Sequence, residues 1–136
     1  MTTKTPKPTI AARAAERICP NCGGPAVRRS PRGPMPTFCS DACKRDHGNR
    51  GMIEGRAAIA FLKSWRADRC NGEIAKASFA QLCRIVDQFN AQDFAAHRPR
   101  PDLYAAKMLA TGTDFMDRQG KKNLADARKR TAATAD

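Results

Sequence analysis

Cys19-Pro20-Asn21-Cys22-Gly23 and Phe38-Cys39-Ser40-Asp41-Ala42-Cys43 decide how the first half of this 136-residue chain is read. The two cysteine pairs are spaced C-x2-C and C-x3-C, with sixteen residues between them. Together they can supply four thiolates to one tetrahedral Zn²⁺. The short spacing within a pair lets a turn aim both sulfurs at one ion, while amide N–H groups nearby stabilise the negative sulfur. Gly23 and Gly24 follow the first pair, where such a turn needs positive φ. Ser40 or Asp41 can cap a helix starting at the second pair, which places Cys43 near the positive end of its dipole. The expected ligands are therefore Cys19, Cys22, Cys39 and Cys43.

Two other fates compete for these cysteines: a pair of disulfides, or reduced thiols without metal. The N-terminus has no apolar signal-peptide core and no run of eighteen apolar residues exists, so a cytoplasmic protein with no membrane partner is expected. In that reducing compartment cysteines favour metal. A thiol–disulfide switch that expels zinc is a third reading, opposed by the stability of thiolates in a closed site.

Four cysteine ligands leave no open position, which argues against zinc hydrolysis. A zinc deaminase needs H-x-E ahead of P-C-x-x-C, and here the order is Cys19-Pro20 with no H-x-E anywhere. Gly51-Met52-Ile53-Glu54-Gly55 lacks the Lys-Ser/Thr of a phosphate loop. Neither an enzyme nor a small-molecule substrate is expected. His47 reads as an exposed helical histidine or a hydrogen-bonding neighbour of the site.

The formal charge is +12, unevenly spread. Residues 1–50 carry a net +7, residues 51–120 a net +2, and residues 121–136 a net +3. Excess positive charge on the cysteine region and the tail favours a polyanionic partner. Arg28, Arg29 and Arg32 surround the turn Ser30-Pro31-Arg32-Gly33-Pro34, and Lys44, Arg45 and Arg50 follow the last cysteine. These six are the expected nucleic-acid contacts. Neutralising ~6 phosphates would give steep salt dependence with little choice of sequence. A merely solvated basic face is the competing reading.

Ala26–Arg29 and Met35–Phe38 read as short strands of an imperfect hairpin, with a helix from Asp41 that stops or bends at Gly48 or Gly51. The expected fold is a small α+β zinc module (treble clef or short zinc ribbon) over residues 15–50. A mainly α bundle of about three helices follows over residues 52–119, with basic flexible, disordered tails at 1–14 and 120–136; within these, Ile10–Ile18 can form a short Ala-rich helix, and Lys121–Asp136 reads either as a frayed helix or as a disordered tail. The bundle helices carry apolar stripes expected to form its core. On the first these are Ile53, Ala57, Ala60, Phe61 and Trp65; on the second Ala75, Phe79, Leu82, Cys83, Val86 and Phe89; on the third Tyr104, Met108, Thr111 and Phe115. Cys83 reads as a small hydrophobe, and with Cys70 it lacks further ligands for a second metal site.

The C-P-x-C-G … F-C-S-x-x-C-[KR] pattern of Cys19 to Lys44 resembles that of small bacterial treble-clef or zinc-ribbon proteins, the DNA gyrase inhibitor family among them, and FCS-type zinc fingers. The resemblance covers about 30 residues and implies the same four cysteine ligands, a bacterial or phage source, and a DNA-related setting. Two functions follow as expectations: a structural-zinc nucleic-acid-binding protein, DNA-binding or regulatory, or a protein-interaction module that binds or inhibits a DNA-handling enzyme or the transcription machinery.

Overall fold

The computed structural model describes residues 4–69, 71–111 and 118–134. Five helices follow in order: α1 (Ile10–Ala14), α2 (Asp41–Asp68), α3 (Glu73–Ala95), α4 (Pro101–Thr111) and α5 (Arg118–Thr134). The α+β module expected for residues 15–50 does not form. Among the described residues the structure is mostly helical (66% helix, 2% strand) with no sheet, and the isolated bridge found there, Ile18 to Pro25, lies outside the expected hairpin. The reason is local. Pro31, Pro34 and Pro36 have no N–H to donate to a ladder. What remains is a turn closed by Gly33 N–H on the Ser30 carbonyl at 3.1 Å, without flanking strands.

The treble-clef or zinc-ribbon layout is replaced by one long helix. Ser40 caps α2, its Oγ accepting from the Cys43 N–H at 3.2 Å. From there the helix runs unbroken for 28 residues through Gly48, Gly51 and Gly55. Each glycine costs about 1 kcal/mol against alanine, too little to stop a helix held by a partner. Arg69 ends α2 in the left-handed region at φ 47°, and Gly72 opens α3 at φ 87°.

The short link makes α2 and α3 an antiparallel hairpin. The rings of Trp65, late in α2, and Phe79, early in α3, lie 5.5 Å apart. At the other end Glu54 feels the charge of Asp93. The seam follows Glu54, Ala58, Phe61 and Trp65 on one helix and Ala75, Ser78, Leu82 and Phe89 on the other, all buried or half-buried. Phe61 and Trp65 of the first expected stripe and Ala75, Leu82 and Phe89 of the second lie in this seam, and the other members do not. Ile53 is exposed, as are Ala57 and Ala60, and on α3 Phe79, Cys83 and Val86 lie beside the seam rather than in it. A hairpin has one seam, so only Ala75 and Ser78 of its residues are fully buried.

A second small core forms where α1 packs on α4. Thr9 caps α1, and Lys107 from α4 donates to the carbonyls of Ala14 (3.0 Å) and Glu16 (2.7 Å) at its far end. A cation at a helix C-terminus satisfies carbonyls that the helix leaves unpaired. Arg13 adds an ion pair to Asp102 at 3.1 Å. Beneath these polar ties Leu103 is completely buried and Ala106 nearly so. Residues 10–14, assigned to the flexible tail but also readable as the start of a short Ala-rich helix, form α1 and are docked. Tyr104 and Met108 of the expected α4 stripe are half-buried, Thr111 is exposed, and Phe115 lies outside the described residues. Of the two readings of the C-terminal tail, helix is the one the structure has: its alanine and Lys/Arg content favours helix, and residues 118–134 form α5.

Candidate metal centre

The loop of the first pair is built by its backbone. Cys19 N–H donates to the Gly24 carbonyl at 2.8 Å and Gly23 N–H returns to the Cys19 carbonyl at 2.9 Å. Gly23 holds φ at 77°, a conformation side chains resist. Gly24 N–H points at the Cys22 sulfur at 3.4 Å, the amide-to-sulfur contact that supports a thiolate. The second pair straddles the start of α2, with Cys39 just before the Ser40 cap and Cys43 in the first turn.

These two elements bring Cys19, Cys22, Cys39 and Cys43 into one cluster whose four sulfurs all lie within 4.8 Å of one another. Cys22 to Cys39 is 3.5 Å and Cys39 to Cys43 is 3.4 Å. All four are free thiols. Four sulfurs about 2.3 Å from a tetrahedral ion stand about 3.8 Å apart, so the cluster has the span of a metal-ligand set. It could hold a metal ion. Cys19 is fully buried, and Cys22 is exposed at the opposite edge.

The electrostatics of the free thiols show how closely they are coupled. Hydrogen bonds with the Cys43 and Cys22 sulfurs push the Cys39 thiol up to about 12. Cys43 is pulled down to about 7, first by a hydrogen bond from the Asn21 side chain and then by Cys39. One sulfur thus carries charge most readily while its neighbours act as donors. Asn21 is itself buried, and its Oδ1 accepts from Arg50 Nη1 at 2.6 Å. The same nitrogen reaches Asp46 Oδ2 at 2.7 Å, an i, i+4 pair on α2. Asn21 carries no ligand-type signal in the sequence, and its part in the centre emerges only when the first loop meets α2.

Arg50 is therefore held by Asn21 and Asp46, with a fifth of its side chain exposed. Arg28, Arg29, Arg32, Lys44 and Arg45 are exposed. Arg29 stands 3.5 Å from Asp41, an exposed pair of little energetic weight. His47 is half-buried, its ring 5.1 Å from Phe38 and 4.4 Å from Tyr104. Burial, then the charge of Arg50, lower its pKa. Beside this aromatic cluster a groove of about 640 Å³ is floored by Phe38, Tyr104 and Met108 and rimmed by Arg29 and Lys44. Cys83 is exposed, and Cys70 lies outside the described residues.

Among the described residues no helix is long and apolar enough to cross a membrane. The chain matches no protein-family model, no curated protein and no solved structure.

Proposed function

We propose that the four thiols bind one Zn²⁺ as a structural ion and that the basic surface around it contacts nucleic acid. The zinc assignment rests on the sulfur cluster: four cysteine donors at tetrahedral spacing suit Zn²⁺, and no water-accessible fourth position is left for catalysis. Zinc here ties a loop with almost no apolar core to the start of α2, supplying folding energy that the segment lacks.

The nucleic-acid reading is carried by the placement of exposed cations next to that centre. Arg28, Arg29 and Arg32 lie on the loop between the cysteine pairs, and Lys44 and Arg45 on the first turns of α2. The groove beside them combines aromatic faces with a cationic rim, the composition that proteins use to hold unpaired bases and their phosphates. Arg50, already committed to Asn21 and Asp46, serves the metal centre instead.

The test is fluorescence anisotropy of the zinc-loaded protein with labelled single-stranded and duplex oligonucleotides at several salt concentrations. Five phosphate contacts would give a slope of log K against log salt of about −3.5 to −4.5. Changing Arg28, Arg29 and Arg32 together to Glu should flatten that slope and weaken binding at least ~10-fold. Binding that survives the triple change unaltered, or no salt-sensitive binding at all, removes the proposal. In the second case a protein partner of a DNA-handling or transcription enzyme becomes the reading to pursue.

A further inference from the structure

The chain exposes 11054 Å² of surface. A compact monomer of 14.9 kDa would expose roughly 7,000 Å². Part of the surplus belongs to α5, which has no extensive contact with the other helices. The hairpin accounts for the apolar share. Of the thirteen exposed large hydrophobics, eight lie on α2 and α3.

Several of them fall on one face. On α2, Met52, Ile59 and Leu62 are 58%, 44% and 41% exposed, and they share a line with Gly48 and Gly55 at steps of three and four. On α3, Phe79 and Val86, 43% and 39% exposed, share a line with Cys83 and Asn90. Each line is displaced from its helix's seam in the direction of increasing residue number. Viewed down the hairpin, one helix winds clockwise and the other, running the opposite way, counter-clockwise. Both lines therefore fall on the same side. None of these nine positions is charged.

The glycines add an independent observation. At Gly48 and Gly55 a methyl group would meet nothing within 4 Å, and neither has a positive φ that would require glycine. Their only structural effect is a shallow groove on α2 along which another helix can approach closely.

We infer that this face is the contact between two copies of the chain, which pair through their α2–α3 hairpins to complete a four-helix bundle. The charge distribution selects a second copy. Residues 41–95 hold nine Lys/Arg and seven Asp/Glu, a net +2, while the rest of the chain carries +10. Two hairpins, each of net +2, meet with far less repulsion than the more basic parts of two chains would. A two-fold pairing of hairpins also gives each helix neighbours on both its apolar sides.

The experiment is analytical ultracentrifugation of the full zinc-loaded chain from about 1 to 200 µM, a range that spans ordinary homodimer affinities. A dimer is expected. Ile59→Glu with Leu62→Glu should raise the dimer dissociation constant on the order of 100-fold or more, while Ile53→Glu, on the other side of α2, should leave it unchanged. Circular dichroism checks that the double variant stays helical. If it does not, Gly55→Leu decides, because it raises helix propensity while filling the groove. A monomeric wild-type chain overturns the inference, and so does a dimer indifferent to the deciding variant.

Discussion

Arg50 Nη1 lies 2.6 Å from Asn21 Oδ1 and 2.7 Å from Asp46 Oδ2, so one guanidinium nitrogen joins the first cysteine loop to the helix that carries the last cysteine. Asn21 in turn acts on Cys43, whose thiol its side chain helps to hold below the ordinary range. Removing the guanidinium leaves the buried Asn21 carbonyl oxygen without this donor and frees the amide to rotate away from the sulfur. Arg50→Ala should cost about 1.5–3 kcal/mol in thermal or denaturant unfolding of the metal-loaded protein. In chelator competition it should weaken metal binding roughly 10-fold or more. Unchanged metal affinity would mean that the Asn21 contact to Cys43 does not depend on Arg50.

His47 gives a prediction with a defined sign. Burial against Phe38 and Tyr104, with the charge of Arg50 nearby, depresses its folded pKa below the ordinary 6.5. Between that folded value and 6.5 the unfolded chain binds more protons than the folded one. Stability therefore falls as pH drops through this window, and His47 contributes no further loss below it. An NMR titration of the His47 ring should give a midpoint under 6.5. In Arg50→Ala the midpoint should rise, because a repelling positive charge has gone. A midpoint at or above 6.5 in the wild-type protein would contradict the burial of this ring between its aromatic neighbours.

The four-cysteine cluster is legible in the sequence because C-x2-C and C-x3-C are local patterns, and local patterns survive whatever the rest of the chain does. A cap at Ser40 or Asp41 is readable for the same reason. The hairpin around Arg32 was not, since alternation of residue types favours strands only where every second amide can donate, and three prolines remove that option. Nor was the continuity of α2 through Gly48, Gly51 and Gly55, which is decided by packing against α3 rather than by propensity. The apolar stripes of α2 and α3 are legible only in part: Phe61, Trp65, Ala75, Leu82 and Phe89 meet in the seam, while Ile53, Ala57, Ala60, Phe79, Cys83 and Val86 lie beside it. A helix with apolar residues on two adjacent sides does not say in sequence which side meets its neighbour. Asn21 and Lys107 were invisible, because each works through a segment distant in sequence.

Among the described residues Leu103 is the one large aliphatic side chain completely removed from solvent, at the junction of α1 and α4. Truncating it should leave a cavity that the polar ties of Lys107 and Arg13 cannot close. Leu103→Ala is expected to cost about 2–5 kcal/mol, read from denaturant midpoints at constant m-value. Lys107→Met, which removes the donor to Ala14 and Glu16 but keeps most of the volume, should cost less, about 1–3 kcal/mol. If the two changes cost the same, the carbonyl contacts matter as much as the apolar plug.

Metal removal should separate the two halves of the fold. The loop from Arg17 to Ala26 is closed by three backbone bonds of 2.8–3.1 Å and by little apolar contact beyond Cys19 and Ala26. Without an ion, four crowded thiols would have to stay together, with the Cys43 sulfur inclined to ionise and the Cys39 thiol held neutral beside it. The α2–α3 hairpin needs none of these groups for its seam. Chelation should therefore abolish amide-exchange protection at Cys19, Gly23 and Ala26 while most of the helical circular dichroism of α2 and α3 persists, and adding Zn²⁺ should restore the protection. A collapse of the whole helical signal on chelation would show that the hairpin depends on the metal centre for its stability. Unchanged protection would show that the loop needs no ion, and the structural role proposed for zinc would fall.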